Sequence, residues 1–180
     1  MSLLSRKTLK LGLLLLAFQA AWFACILGVA HGAPGLGIAA VALVVGGQLV
    51  ISEAPRQDGL LVLLAIALGL LWDTAMLRLG VVVYAAPGPI EQVAPAWILS
   101  LWALLGANLR EPLQWLHGRW LLAALAGGVA GAMSYVGAVR LGAGQLPDFG
   151  LAVAVLGLGW AVMTPLLTES ARLAARQAQR

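Results

Sequence analysis

In a chain of 180 residues, 62% are hydrophobic and only 10% are charged, and the mean hydropathy is +0.95. Soluble domains carry roughly 25% charged residues, so this chain cannot cover a water-soluble globule and lipid must be its main solvent. The net charge of +4 does not imply a nucleic-acid partner either, because its Lys and Arg sit in short loops and tails and form no continuous stripe.

After Arg6, Lys7 and Lys10 the first apolar segment covers residues 11–30. Small residues at Ala30 and Gly32 resemble a cleavage site, but the run is longer than the roughly 7–15 residues of a signal-peptide core, so an uncleaved first helix is expected. It holds the single cysteine, Cys25, which is assigned to packing. Further apolar segments follow at 35–51, 59–79, 94–109, 120–139 and 149–168. About 20 residues are needed to cross some 30 Å of hydrocarbon, so the second and fourth are short. The expectation is an all-α polytopic membrane protein, a six-transmembrane-helix bundle in one integral membrane domain, with 169–180 as a basic cytoplasmic tail. Residues 80–93, broken by Pro87, Gly88 and Pro89, form either a loop dipping back into the membrane or a long end to the third helix.

The distribution of positive charge tests this threading, because cytoplasmic loops hold the excess of Lys and Arg. Arg6, Lys7, Lys10, Arg56, Arg110, Arg119, Arg172, Arg176 and Arg180 fall on one side, against Arg78 and Arg140 on the other. That bias puts both termini in the cytoplasm. Arg172, Arg176 and Arg180 recur every fourth residue and share one helix face, where anionic headgroups would meet them.

Asp73 is the most informative polar residue. A carboxyl group at bilayer depth costs about 2.5–3.5 kcal/mol on insertion scales, and such groups are paired, hydrated or functional. Arg78-Leu79-Gly80 and Arg140-Leu141-Gly142 close two segments of equal direction, and Pro34 and Pro95 stand at similar distances upstream. Helices two and three therefore pair with helices four and five as a candidate duplicated hairpin. Asp73 and Tyr135 each precede their arginine by five residues, about 7.5 Å of helical rise. The candidate site is thus an intramembrane polar cluster of Asp73, Ser134, Tyr135, Arg140 and Arg78, with Arg140 reaching in from the next helix as the preferred partner of Asp73. Gln19 and Gln48 are expected to act as interhelical packing contacts, and Gly127 and Gly131 form a GxxxG pair that lets helices approach. No metal-ligand set, nucleophile motif or phosphate loop appears, so no catalytic residue, metal or cofactor is expected.

Phe18-Gln19 with Trp22, Trp72-Asp73, Pro95-Ala96-Trp97 with Leu101-Trp102, Trp115-Leu116, and Gly131 through Ser134-Tyr135 to Arg140-Leu141-Gly142-Ala143 form a pattern over nearly the whole chain. It resembles an uncharacterised family of small multi-pass bacterial inner-membrane proteins, domain-of-unknown-function family twenty-eight seventy-eight. Two features depart from the family pattern: Ala132 stands where relatives carry proline, and Arg110-Glu111-Pro112 is atypical. The resemblance implies the inner membrane of a bacterium and proximity to lipid metabolism, without an activity. The expected role is non-catalytic binding, transport or accessory service for a lipid or amphiphile. The alternatives are a lipid-modifying enzyme and a structural subunit. The expected partners are membrane lipids and a membrane-protein partner or a second copy.

Overall fold

Proline opens two of the helices, Pro34 and Pro55 each standing in a first turn, where the missing N–H costs nothing and the fixed φ already suits a helix. The computed structural model describes residues 3–178. In chain order these form α1 (Leu3–Ala30), α2 (Pro34–Val50), α3 (Pro55–Arg78), the two-residue strand β1 (Val83–Tyr84), α4 (Ala96–Asn108), a 3-10 turn (Gln114–Leu116), α5 (Trp120–Arg140), the two-residue strand β2 (Gly144–Gln145) and α6 (Phe149–Ala178). The fold class is all-α, and the strands are only a clasp between two loops, with Val83 opposite Gln145 and Tyr84 opposite Gly144. Residues 169–178 continue α6 as helix. Arg180, one of the basic residues counted at this end, lies outside the described residues.

Among the described residues four helices are long and apolar enough to cross a membrane: Arg6–Ala30 within α1, Pro55–Arg78, Trp120–Arg140 and Phe149–Gln177 within α6. Helices α2 and α4, with 17 and 13 residues, rise only about 26 and 20 Å. The shortness of α4 has a physical reason. Trp97, Ile98, Trp102, Leu104, Gly106 and Asn108 are buried around its circumference, and α1, α2 and α3 all pack against it. A helix solvated by protein need not match the thickness of lipid.

Tight pairing follows chain order, α1 on α2, α3 on α4 and α5 on α6. This corrects the expected hairpins: α2 and α3 touch only lightly, and α4 and α5 are not a packed pair. The segment between α3 and α4 does not prolong α3, which stops at Arg78. It folds across the end of the bundle through β1 and leaves Val82 and Tyr84 buried. Cys25 is buried between α1 and α4, its thiol 3.6 Å from the Trp97 carbonyl.

The opposite end of the bundle is held by charge. Arg110, just past α4, forks onto Asp58 of α3, Nε to Oδ1 at 2.6 Å and Nη2 to Oδ2 at 2.8 Å, the two-pronged geometry that suits a guanidinium. Ser52 donates to Asp58 at 2.5 Å and accepts from Arg110 at 3.1 Å. The neighbouring Asp58 holds the Arg110 guanidinium above its usual range, against the opposing effect of burial. Lys10 of α1 joins through Glu111 at 2.9 Å. Arg172 pairs with Glu169 at 2.5 Å within α6, so its charge is partly spent inside the protein. Removing one partner of a mostly buried pair leaves the other uncompensated, at about 3–5 kcal/mol. Asp58→Ala is therefore expected to lower the unfolding free energy in detergent by about 3 kcal/mol, and Lys10→Ala by less than about 1 kcal/mol because that pair is more exposed. Equal losses in a denaturant titration would contradict this ranking.

Candidate functional site

Asp73 is fully buried, at 0% exposure, and every contact that satisfies it comes from another element. Tyr135 of α5 donates its hydroxyl to Oδ1 at 2.6 Å. Tyr84 of β1 donates to the same oxygen. Trp102 of α4 donates its indole N–H to Oδ2 at 2.5 Å. One side chain therefore ties α3 to α4, to α5 and to the loop over the end of the bundle. Trp72 and Trp160 stand close to the Tyr135 hydroxyl, and their indole N–H groups are buried without a hydrogen-bond partner.

Glycine makes room for these rings. A methyl group on Gly69 would run into the Trp102 indole, one on Gly131 into Trp160, and one on Gly159 into Trp72. Trp102 and Trp160 stack with centroids 4.8 Å apart and planes 12° from parallel. Tyr84 meets Trp97 edge to face at 5.5 Å, and the Trp97 N–H is taken by the Ala86 carbonyl at 2.9 Å. The aromatic groups are thus locked by packing before they act as donors.

The structure brings together only part of the expected cluster. Asp73 and Tyr135 meet, as their equal depth implied. Arg140 is exposed and does not reach Asp73. Arg78 turns outward to the Gln92 carbonyl at 3.0 Å. The physical reason is that a guanidinium would have to leave the membrane surface to reach a carboxyl group that three neutral donors already satisfy. Ser134 faces away from Asp73 and donates to the Gly131 carbonyl one turn back, at 2.7 Å. Gln48 bridges α2 to α4 by meeting Asn108 at 3.4 Å. Gln19 is exposed on α1 and faces the cavity described below. Gly127 and Gly131 admit Thr164 and Trp160 of α6. Sequence reasoning missed Tyr84 and Trp102; the available signal for Trp102 was Gly69, which sits as far before Arg78 as Gly131 does before Arg140.

Beside this hub lies a cavity of about 480 Å³, within the roughly 300–1,000 Å³ of small-molecule sites. Its walls are Leu15, Gln19 and Trp22 of α1, Leu101 and Trp102 of α4, and Ala130 and Ser134 of α5, with Trp160 and Thr164 of α6 behind. No Asp, Glu, Lys, Arg or His lines it. At one end the Trp22 ring of α1 comes against Gly137 of α5. Trp115 and Leu116 border the other end. Along α5 the cavity runs from Ala126 to Ala138, about 18 Å of helical rise. Tyr135 and Trp102 belong to both the hub and the cavity wall.

The profile of the family described as Protein of unknown function (DUF2878) matches residues 12–166. The chain belongs to that family. No curated protein and no solved structure matches it. The family segment takes in Asp73, all three of its hydrogen-bond donors and both faces of the cavity.

A buried acceptor or donor left without its partner costs about 1–3 kcal/mol. Asp73→Ala orphans three donors and is expected to lose at least about 3 kcal/mol of stability, while Tyr84→Phe and Tyr135→Phe lose about 1 kcal/mol each. Arg140→Ala, a surface change, is expected to stay within about 0.5 kcal/mol. Denaturation in detergent checks the series, and an Arg140→Ala loss as large as that of Tyr135→Phe would restore the charge-pair reading.

Proposed function

We propose that this family member resides in the inner membrane of a bacterium as a six-span protein with both termini cytoplasmic, and that it binds a lipid or amphiphile without catalysing a reaction on it. The carrying observation is the cavity between α1, α4 and α5, which has the volume of a ligand site and walls that are uncharged and mostly apolar. Asp73 supports the same reading by exclusion: its two oxygens are occupied by protein donors, so it serves the walls of the site. The two-sided charge count supports the orientation. Lys10, Asp58, Arg110 and Glu111 gather at one end of the bundle, and the Arg78 and Arg140 ends of α3 and α5 lie at the other.

Native mass spectrometry of the detergent-purified protein tests binding. Wild type is expected to retain a defined amphiphile through delipidation, and Ala130→Phe, which fills the cavity wall, to retain less by about tenfold, equivalent to about 1.4 kcal/mol. Identical adducts of bulk phospholipid on both proteins would remove the cavity as a site. For orientation, a cysteine at Gly88 is expected to react with a membrane-impermeant maleimide in spheroplasts, and one at Gly118 only after permeabilisation. The opposite order would invert the topology.

A further inference from the structure

The ends of α3 and α5 are one structure written twice. Leu79, Gly80 and Val81 donate their N–H groups to the carbonyls of Ala75, Leu77 and Met76 at 2.9, 3.1 and 2.9 Å. At a shift of 62 positions, Leu141, Gly142 and Ala143 donate to Gly137, Val139 and Ala138 at 3.0, 3.0 and 2.9 Å. Gly80 and Gly142 both take positive φ, +69° and +95°, as a glycine-terminated helix requires. The correspondence continues inward, since Gly69 and Gly131 obey the same shift and each receives an indole from the next helix, Trp102 of α4 or Trp160 of α6. The repeating unit is therefore α3–α4 and α5–α6.

Equivalent residues also touch each other. Val83 pairs with Gln145, Asp73 with Tyr135, and Trp102 with Trp160. Residues related by a two-fold rotation meet their own equivalents only on its axis. The Val83–Gln145 pair lies beyond the ends of α3 and α5, the Asp73–Tyr135 pair lies on those helices, and the Trp pair lies one turn deeper, over Gly69 and Gly131. The axis therefore runs along the bundle.

Such an axis creates two copies of every seam, and here the copies differ. In the α3–α6 seam, the Trp72 ring occupies the space beside Gly159 so closely that no side chain could begin there. The twin seam is α5–α4. The shift of 62 carries Trp72 onto Ser134, the offset of 58 between Trp102 and Trp160 carries Gly159 onto Leu101, and both of these line the cavity. We infer that the cavity is the opened twin of the α3–α6 seam, kept open because serine stands at 134 in the place of a plugging tryptophan, and that its occupant is the hydrocarbon chain of a single-chain amphiphile. This rests on the lipid-binding reading above. The occupant follows from the walls: they bear no charge, so an ionised head stays outside. The Thr164 hydroxyl, buried in those walls without a hydrogen-bond partner, offers a polar contact to an oxygen near the head end of the chain.

Swapping the plug tests the assignment. The probe is a photoactivatable fatty acid with a diazirine on its chain, applied to the purified protein in nanodiscs and read as labelled protein. Ser134→Trp is expected to cut labelling about tenfold or more, an effect of about 1.4 kcal/mol, whereas Val129→Trp on the outward face of α5 leaves it unchanged. Trp72→Ser, which opens the other seam, is expected to add a second equivalent of bound probe. Should Ser134→Trp not fold, Ser134→Phe supplies a smaller plug and Trp72→Ser decides independently. Undiminished labelling of a folded plugged variant, or no second equivalent in Trp72→Ser, overturns the twin-seam assignment while leaving lipid binding intact. Absence of labelling in wild type removes the lipid-binding reading itself.

Discussion

A carboxyl group in an apolar bundle must be met by donors, and the arrangement of this protein follows from where those donors come from. Asp73 lies on α3, while its partners lie on α4, on α5 and in the loop that carries Tyr84. To deliver them, α4 must approach α3 over Gly69, the loop must fold back across the end of the bundle, and α5 must present Tyr135 at matching depth. Lipid offers no water to substitute for a missing partner, so this convergence fixes the relative placement of three elements that hydrophobic packing alone would leave free to slide. In a membrane, apolar surface gains little by exchanging lipid for protein, which makes one satisfied polar hub and a few glycine sockets unusually decisive.

The sequence carried the helices plainly, because runs of apolar residues bounded by Pro, Gly and charge are their direct cause. The depth of Asp73 and Tyr135 was also readable, since equal offsets from two arginines on parallel helices mean equal depth. What failed was the identity of the partner. Arg140 was favoured because opposite charges attract, but three neutral donors locked by packing win over a guanidinium that must abandon the interface. Tyr84 was hidden because it lies outside any helix, where periodicity says nothing about direction. Trp102 gave no sign of its partner, because a tryptophan in an apolar segment suits an interface anchor and a core aromatic equally. The cavity was invisible for a different reason: an empty volume depends on how helices are spaced, and no single residue encodes it.

The hub and the cavity share walls. Tyr135 and Trp102 each turn a polar atom towards Asp73 and an apolar ring towards the open side. One set of aromatic side chains thus gives rigidity on one flank and a smooth hydrocarbon surface on the other. Rigidity matters for such a site because a wall that collapses when empty must be reopened by each ligand, and that cost is taken from affinity.

The stacked pair of Trp102 and Trp160 lies on the cavity wall and, at the same time, on the line relating the two hairpins. Two nearly parallel indoles at this spacing couple their electronic transitions, and that coupling depends steeply on their separation and angle. Any chain that slides along the wall, and any shift of one hairpin against the other, changes both. The protein therefore carries an optical gauge of its own, readable by near-ultraviolet circular dichroism without an attached label.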